Sequence, residues 1–437
     1  MTRSSHSGPL TWLAAIAVLG VLAACSVTPS APPGSQSPVP RPEPPVQPGQ
    51  PPVPLPPPPP PELRFQAESW KQLPGWSADK PALAWTALLA SCASNRLGEA
   101  WREICARARA LENVNDKAAR KFLESELVPH RIVFYPGGAG ATGAETGLIT
   151  GYYEPVLRGA RTRGGEFQTP LYGVPDDLLT IDLGELYPAL KGERLRGQLK
   201  GKRVVPYPDR AQLADGKLLA GRELAWVQDP VDAFFLQIQG SGRIRLTDGS
   251  TVRLAFADVN GQPYRSIGRW LVDQGELMLD QASAQGLKNW IRKNPERKDE
   301  LLNQNPSVVF FREEKITDPS LGPRGALNVP LTAGRSVAVD PRWMPLGAPM
   351  YLATSQPGHD GRPGSPPLQR MVIAQDTGGA IRGGIRADLF FGLGDEAGNL
   401  AGKMRAPGQM WLLWPRGVQP PVPTAAPAAP VASPAAR

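Results

Sequence analysis

Proline sets the outer limits of any fold this chain can adopt. Between positions 29 and 62, eighteen of 34 residues are proline, and few of the others are core formers. Proline locks φ and removes the N–H on which helices and sheet ladders depend. That stretch reads as a polyproline II spacer, and the Pro/Ala/Val tail at 418–437 reads as disordered in the same way. The foldable body is confined to roughly 63–417, enough for one large or two ordinary domains.

The segment before the proline tract has an export signature. Arg3 precedes an apolar run at 10–22, followed by Ala23-Ala24-Cys25. A basic start, a short apolar core and small residues before the cut describe a secretory signal at 1–24. The run is too short for a comfortable membrane span. The tetrad Leu22-Ala23-Ala24-Cys25 resembles the bacterial lipobox, which implies lipidation of Cys25; an ordinary signal peptide cut nearby is the alternative. Ser26 after the cysteine favours the periplasmic face of a Gram-negative outer membrane. The proline spacer at 25–62 would then hold the body off the membrane, by up to roughly 100 Å at ~3.1 Å per residue. Cys92 and Cys105 remain, an even pair for an oxidising compartment, so either a disulfide or two buried thiols is expected.

What is missing narrows the chemistry. The whole chain has three histidines, His6, His130 and His359, and no two can form a metal pair. There is no GxSxG motif, no Walker loop and no GxGxxG fingerprint opening a helix. No metal or cofactor is expected, and any catalysis must come from carboxylates. The formal charge of +8 suits an anionic partner but does not choose between a polymer, a membrane and nucleic acid.

Along the body, 82–94 and 97–110 carry apolar residues at helical spacing, including Leu83, Trp85 and Leu88. Asp116 is expected to cap a third helix. A strand follows at 132–134, and 147–155 reads as a strand ending at a Gly/aromatic corner. The middle region, 156–318, mixes short strands, among them 231–239, 244–246 and 251–256, with helices at 266–277 and 284–292. Asp248-Gly249 is a hairpin turn signal. From 327 onward, short apolar runs at 336–339, 349–353, 371–374 and 410–414 are punctuated by Gly and Pro, which favours a small β-barrel.

Three aspartates stand at strand ends in that last third: Asp340 before Pro341, Asp376 before Thr377-Gly378-Gly379, and Asp388 before Leu389-Phe390-Phe391. Asp340 and Asp376 also suit plain turn chemistry. Asp388 differs, because apolar neighbours raise a carboxyl pKa by desolvation. A glycosidase keeps its acid protonated near neutral pH by that means.

The run 335–414 resembles the "3D" domain, named for three such aspartates. With Gly151-Tyr152-Tyr153-Glu154-Pro155 and Leu236-Gln237-Ile238-Gln239-Gly240-Ser241-Gly242, it resembles the membrane-bound lytic transglycosylase A family over roughly 63–415. The resemblance implies a mainly β fold with some α: a double-psi β-barrel from 63–155 and 319–417, with a second β-rich domain, 156–318, inserted into it and a glycan groove between them. It implies Asp388 as the acid/base, Asp376 as its supporting aspartate and Asp340 as a brace of the barrel. The partner would be peptidoglycan strands, with no nucleic acid and no cofactor, and other cell-wall enzymes as candidate associates. Tyr152, Gln239, Ser241, Gly242, Gly378 and Gly379 are the sugar-contact candidates.

One carboxyl can suffice for such a reaction. It protonates the glycosidic oxygen, then takes the proton of the muramoyl C6 hydroxyl, which closes on C1 to give a 1,6-anhydro sugar. The nucleophile is already tethered to the substrate. Ordinary glycosidases need two carboxylates, so a hydrolase using Asp376 with Asp388 is the nearest alternative, followed by a non-catalytic glycan-binding lipoprotein. An aspartic protease is disfavoured, since that mechanism pairs two carboxylates and the chain has one Asp-Thr-Gly.

Overall fold

The computed structural model describes residues 59–422 except 95, 139, 188, 189, 191–194 and 360. The signal segment, Cys25, most of the proline tract and the tail from 423 lie outside the described residues. Strands β1 (Glu62–Ala67), β2 (Leu127–Tyr135) and β3 (Gly147–Glu154) come first. Then follow β4 (Val156–Ala160), β5 (Thr169–Tyr172), β6 (Leu179–Ile181), β7 (Leu195–Lys200), β8 (Arg203–Pro206) and β9 (Glu223–Val227). Next are β10 (Ser241–Leu246), β11 (Thr251–Val259) and β12 (Val309–Glu314). The last five are β13 (Ser336–Val339), β14 (Pro349–Ser355), β15 (Pro367–Asp376), β16 (Arg386–Leu393) and β17 (Arg405–Pro415).

Three sheets result among the described residues. The first has eight strands in the order β1-β2-β17-β14-β15-β13-β16-β3, and β17 also pairs with β3. The pairings from β17 through β14, β15, β13, β16 and β3 therefore return to β17. Two of them, β13 with β15 and β16 with β3, are parallel. The second sheet, β12-β11-β10-β4-β9-β5, is drawn wholly from 156–314, as is the small third sheet β6-β7-β8. The fold is mostly β, with helices packed on the sheets.

The main core fills the first sheet and the helices Trp85–Ala93, Arg102–Arg109 and Asp116–Glu126 that pack on it. Cys92 and Cys105 are bonded and tie the first two helices together. Leu83 lies at the margin, 60 % exposed. The third helix is capped by Asn115, whose side chain accepts from the Ala118 N–H, rather than by Asp116. Asp116, one residue inside, accepts from the Ala82 N–H and joins two segments instead.

The expected strand at 231–239 is a helix, Pro230–Gln239. Asp229 caps its start, Pro230 sits at the first helical position, and Gly240, at φ +78°, ends it in the left-handed region. The apolar residues Val231, Ala233, Phe234 and Leu236 are buried on its packed side. Start and stop signals were both present and outrank the β-propensity of the run.

The two large sheets meet at a buried ion cluster. Glu154, the last residue of β3, is fully buried and accepts from Arg243 of β10 at 3.0 Å and Arg253 of β11 at 2.6 Å. Both arginines also donate to the Leu321 carbonyl, and Arg243 donates to that of Pro319. The outgoing strand, the second sheet and the returning chain are thus pinned at one point.

Candidate active site

Strand alternation builds the site. In β16, Ala387 and Leu389 point into the main core, leaving Asp388 and Phe390 on the opposite face. In β3, Ile149 points into the same core and Thr150 and Tyr152 take the other face. The two strands run parallel in a register that sets Asp388 beside Thr150 and Phe390 beside Tyr152. The Thr150 hydroxyl donates to Asp388 Oδ1 at 2.5 Å, and the Tyr152 and Phe390 rings lie 5.3 Å apart.

Asp376 reaches this place through an irregularity. Val337 of β13 pairs with Ala374, but the next residue, Ala338, pairs with Asp376. The extra residue, Gln375, turns into the core, where it binds the Ala87 carbonyl and the Ser91 and Ser336 hydroxyls. Bulges re-aim side chains in this way. Ala338 pairs with Asp388 on its other side, so the two aspartates flank one residue of β13.

Their environments differ. Asp376 Oδ1 accepts from the N–H groups of Ala326 and Thr377, both at 2.9 Å, and Oδ2 from the Tyr152 hydroxyl at 2.9 Å. Burial and the neighbouring Asp376 charge push the Tyr152 phenol well above its usual range, so it stays a donor. Asp388 is half-buried, and burial dominates its environment and pushes its carboxyl up to about 6. The Thr150 hydroxyl and Arg386 pull it back down, and Asp376 adds to the rise. The outcome is a carboxyl that holds its proton in mildly acidic water.

Asp340 sits apart in role. It is fully buried, gripped by Arg342 through Nε at 3.0 Å and a terminal nitrogen at 2.8 Å, and it accepts from the Gly383 N–H at 2.8 Å. Burial would raise its carboxyl, but these donors together hold it below the ordinary value. It anchors the loop between β15 and β16.

The sugar-contact candidates divide. Gly379 is exposed beside Asp376 with open space where a side chain would stand, while Gly378 abuts Ile381. Tyr152 faces the site. Gln239 accepts from the Tyr153 N–H at 3.1 Å and so joins the helix Pro230–Gln239 to β3. Ser241 and Gly242 are buried, and a Cβ on Gly242 would strike Leu236. Thr150 and Arg386 join the site as residues the sequence pattern does not mark. The alternation that puts Thr150 and Tyr152 on one face was readable, but the parallel partner of that face was not. Among the described residues no cluster of three His, Cys, Asp or Glu side chains could hold a metal ion.

Comparison with known proteins identifies this arrangement. Residues 148–312 match the MltA specific insert domain and 335–414 the 3D domain. The chain is 44 % identical to the lytic transglycosylase LtgG of Burkholderia pseudomallei, over 82 % of this chain and 98 % of that one, with a TM-score of 0.54. It is 36 % identical to MltA from Neisseria gonorrhoeae, over 82 % and 94 % of the two chains, with a TM-score of 0.69. For Escherichia coli MltA with bound chitohexaose the values are 27 % identity, 82 % and 94 % coverage, and a TM-score of 0.57. The curated membrane-bound lytic murein transglycosylase A of E. coli K12 is 35 % identical over 267 residues, which span 61 % of this chain and 65 % of that protein. This chain belongs to the MltA family of lytic transglycosylases.

Proposed function

We propose that this protein cleaves the β-1,4 bond between N-acetylmuramic acid and N-acetylglucosamine in peptidoglycan without water, leaving 1,6-anhydromuramic acid ends, as a lyase with Asp388 as its single acid/base. The observation that carries the reading is the contrast between the two aspartates. Asp388 is held up to about 6 and can deliver a proton to the leaving oxygen. The resulting carboxylate then takes the proton of the muramoyl C6 hydroxyl as that oxygen closes on C1. Asp376 is engaged on both oxygens by Ala326, Thr377 and Tyr152, which suits a fixed negative charge beside a developing oxocarbenium ion better than a base that must capture water. Gly379 leaves room for the ring to approach.

The same reading takes the circuit of six strands as a double-psi β-barrel built from 63–155 and 319–417, with 156–318 as an inserted domain and the glycan in the groove between. The chitohexaose seen in the E. coli relative is a β-1,4-linked oligosaccharide, consistent with a glycan occupying that groove. Lipidation at Cys25 would hold the enzyme at the periplasmic face of the outer membrane. No helix among the described residues is long and apolar enough to cross a membrane.

The test is mass analysis of muropeptides released from purified peptidoglycan by the native protein and by Asp388→Ala. Products one water lighter than hydrolytic ones, absent with the variant, are expected. Reducing-end products would replace the lyase with a hydrolase in which Asp376 activates water. Glycan binding without release would leave a binding protein.

A further inference from the structure

A cavity lies beside Phe390, two residues beyond Asp388 on β16. It encloses about 610 Å³ and is lined by the start of β15, the end of β16, the segment before the helix Trp85–Ala93 and the chain returning from the second sheet. β15 and β16 run antiparallel to each other across β13, so Arg370 and Leu393 in its lining stand toward the opposite end of the strands from Asp376 and Asp388, with Phe390 between. Arg370 stands six residues before Asp376 on β15, or ~20 Å at ~3.3 Å per residue.

Its walls combine cations with apolar surface. Lys80, Arg335 and Arg370 line it, with Asp79 the one acid among the lining residues. Asp79 is already consumed, accepting from Arg335 at 2.9 Å and from the Met371 N–H at 2.7 Å. Neither Lys80 nor Arg370 has a carboxylate partner among the described residues; Arg370 makes one long contact, 3.5 Å, to the Gly334 carbonyl. Gly334 itself, at φ +68°, makes the room: a Cβ there would come within 2.9 Å of an Arg370 terminal nitrogen. Arg370 is half-buried, and the one acid near it, Asp79, is already held by Arg335; a partly desolvated cation of this kind is stabilised when a further anion is supplied. Beside it, exposed Leu83 and Leu321 offer an apolar wall, closed by buried Phe390, whose ring also contacts Tyr152 in the active site.

We propose that this cavity binds a peptide carboxylate, with Arg370 and Lys80 taking the anionic groups and Leu83 and Leu321 the alkyl parts of the same ligand. The chemistry matches the stem peptides that peptidoglycan strands carry, which are short, rich in carboxylates and partly aliphatic; that identification rests on the proposed function, whereas the anion site does not. An extended stem of five residues spans ~17 Å, comparable to the distance back along β15 to the site of cleavage. The enzyme would then favour peptide-bearing over denuded strands.

The experiment is calorimetric titration of the full protein with the free tetrapeptide L-Ala-γ-D-Glu-meso-diaminopimelate-D-Ala, with the same peptide carrying amidated carboxyls, and with the disaccharide-tetrapeptide. The free peptide has no glycosidic bond, so its binding should be the same in Asp388→Asn, and the result stands whether or not Asp388 cleaves. Saturable binding is expected, weakened about ten- to hundredfold by Arg370→Gln and partly retained in Arg370→Lys, with thermal unfolding of both variants reported alongside. Tighter binding of the disaccharide-tetrapeptide would assign the stem on the strand as the source, and equal binding the released peptide. The proposal is overturned if the native protein shows no saturable binding, if the amidated peptide binds as well, or if a folded Arg370→Gln binds as the native chain does.

Discussion

Replacing Asp388 by Asn separates what burial does to this carboxyl from what the carboxyl does to substrate. Its pKa rises from 3.8 to about 6 on folding. At ~1.36 kcal/mol per unit, the ionised form costs the fold up to about 3 kcal/mol at pH 7. Its half-buried position makes that an upper value. The folded value lies above the unfolded one, so the folded state binds the proton more tightly. The stabilisation is fully present below about pH 4 and is lost as pH rises through about 6. Asparagine carries no charge at any pH, and its Oδ1 can still accept from Thr150.

Asp388→Asn should therefore resemble the native protein in stability near pH 4 and exceed it by about 2–3 kcal/mol at pH 7 to 8. Urea unfolding at half-unit steps between pH 4 and 8 reads the difference directly. Anhydromuropeptide release by the variant should fall about 10²–10⁴-fold, while native kcat/KM should decline tenfold per pH unit above about 6. Stability curves of native and variant protein that stay parallel across this range would show that folding does not hold the proton on Asp388, and the acid assignment would lose its physical basis.

Three further outcomes follow from neighbouring contacts. Thr150→Val removes a donor that lowers the Asp388 pKa, so the alkaline limb of kcat/KM should move to higher pH; an unmoved limb would deny that contact its role. Glu154→Gln leaves Arg243 and Arg253 buried without a counter-charge and should cost about 3–5 kcal/mol by urea denaturation; a loss under about 1 kcal/mol would mean water reaches the cluster. Replacing Cys92 and Cys105 together by Ser opens a loop with a sequence separation of 13 and should cost about 3 kcal/mol in the chain-entropy picture, read as a lower denaturation midpoint that reductant no longer changes.

Where the sequence was legible, local chemistry decided the structure. Asp248-Gly249 turns β10 into β11 as expected, and the apolar runs at 336–339, 349–353, 371–374 and 410–414 lie within β13, β14, β15 and β17. At 231–239 an Asp-Pro start and a Gly stop outrank the β-branched and aromatic content of the run, and the segment is a helix rather than the expected strand. Gln239 accordingly stands at a helix end, where its side-chain oxygen accepts from the Tyr153 N–H. Other features were beyond reach for a different reason. Thr150 meets Asp388, and Asp79 meets Arg335, only through pairings more than 200 residues apart in sequence. The pattern along one strand fixes which face a side chain takes, but not which strand lies beside it.

The site shows why two similar aspartates need not share a role. Both stand where strands beside Ala338 end or begin, so backbone position alone would make them a symmetric pair. The bulge that buries Gln375 breaks that symmetry. It brings Asp376 under the Ala326 and Thr377 N–H groups and the Tyr152 hydroxyl, three donors that favour an acceptor. The register of β16 against β3 gives Asp388 one hydroxyl, and burial raises its carboxyl instead. A reaction whose nucleophile is part of the substrate needs one group that gives a proton and takes one back, and a second that only holds charge. In the proposed reaction, a single inserted residue in β15 would sort the two carboxylates into those parts.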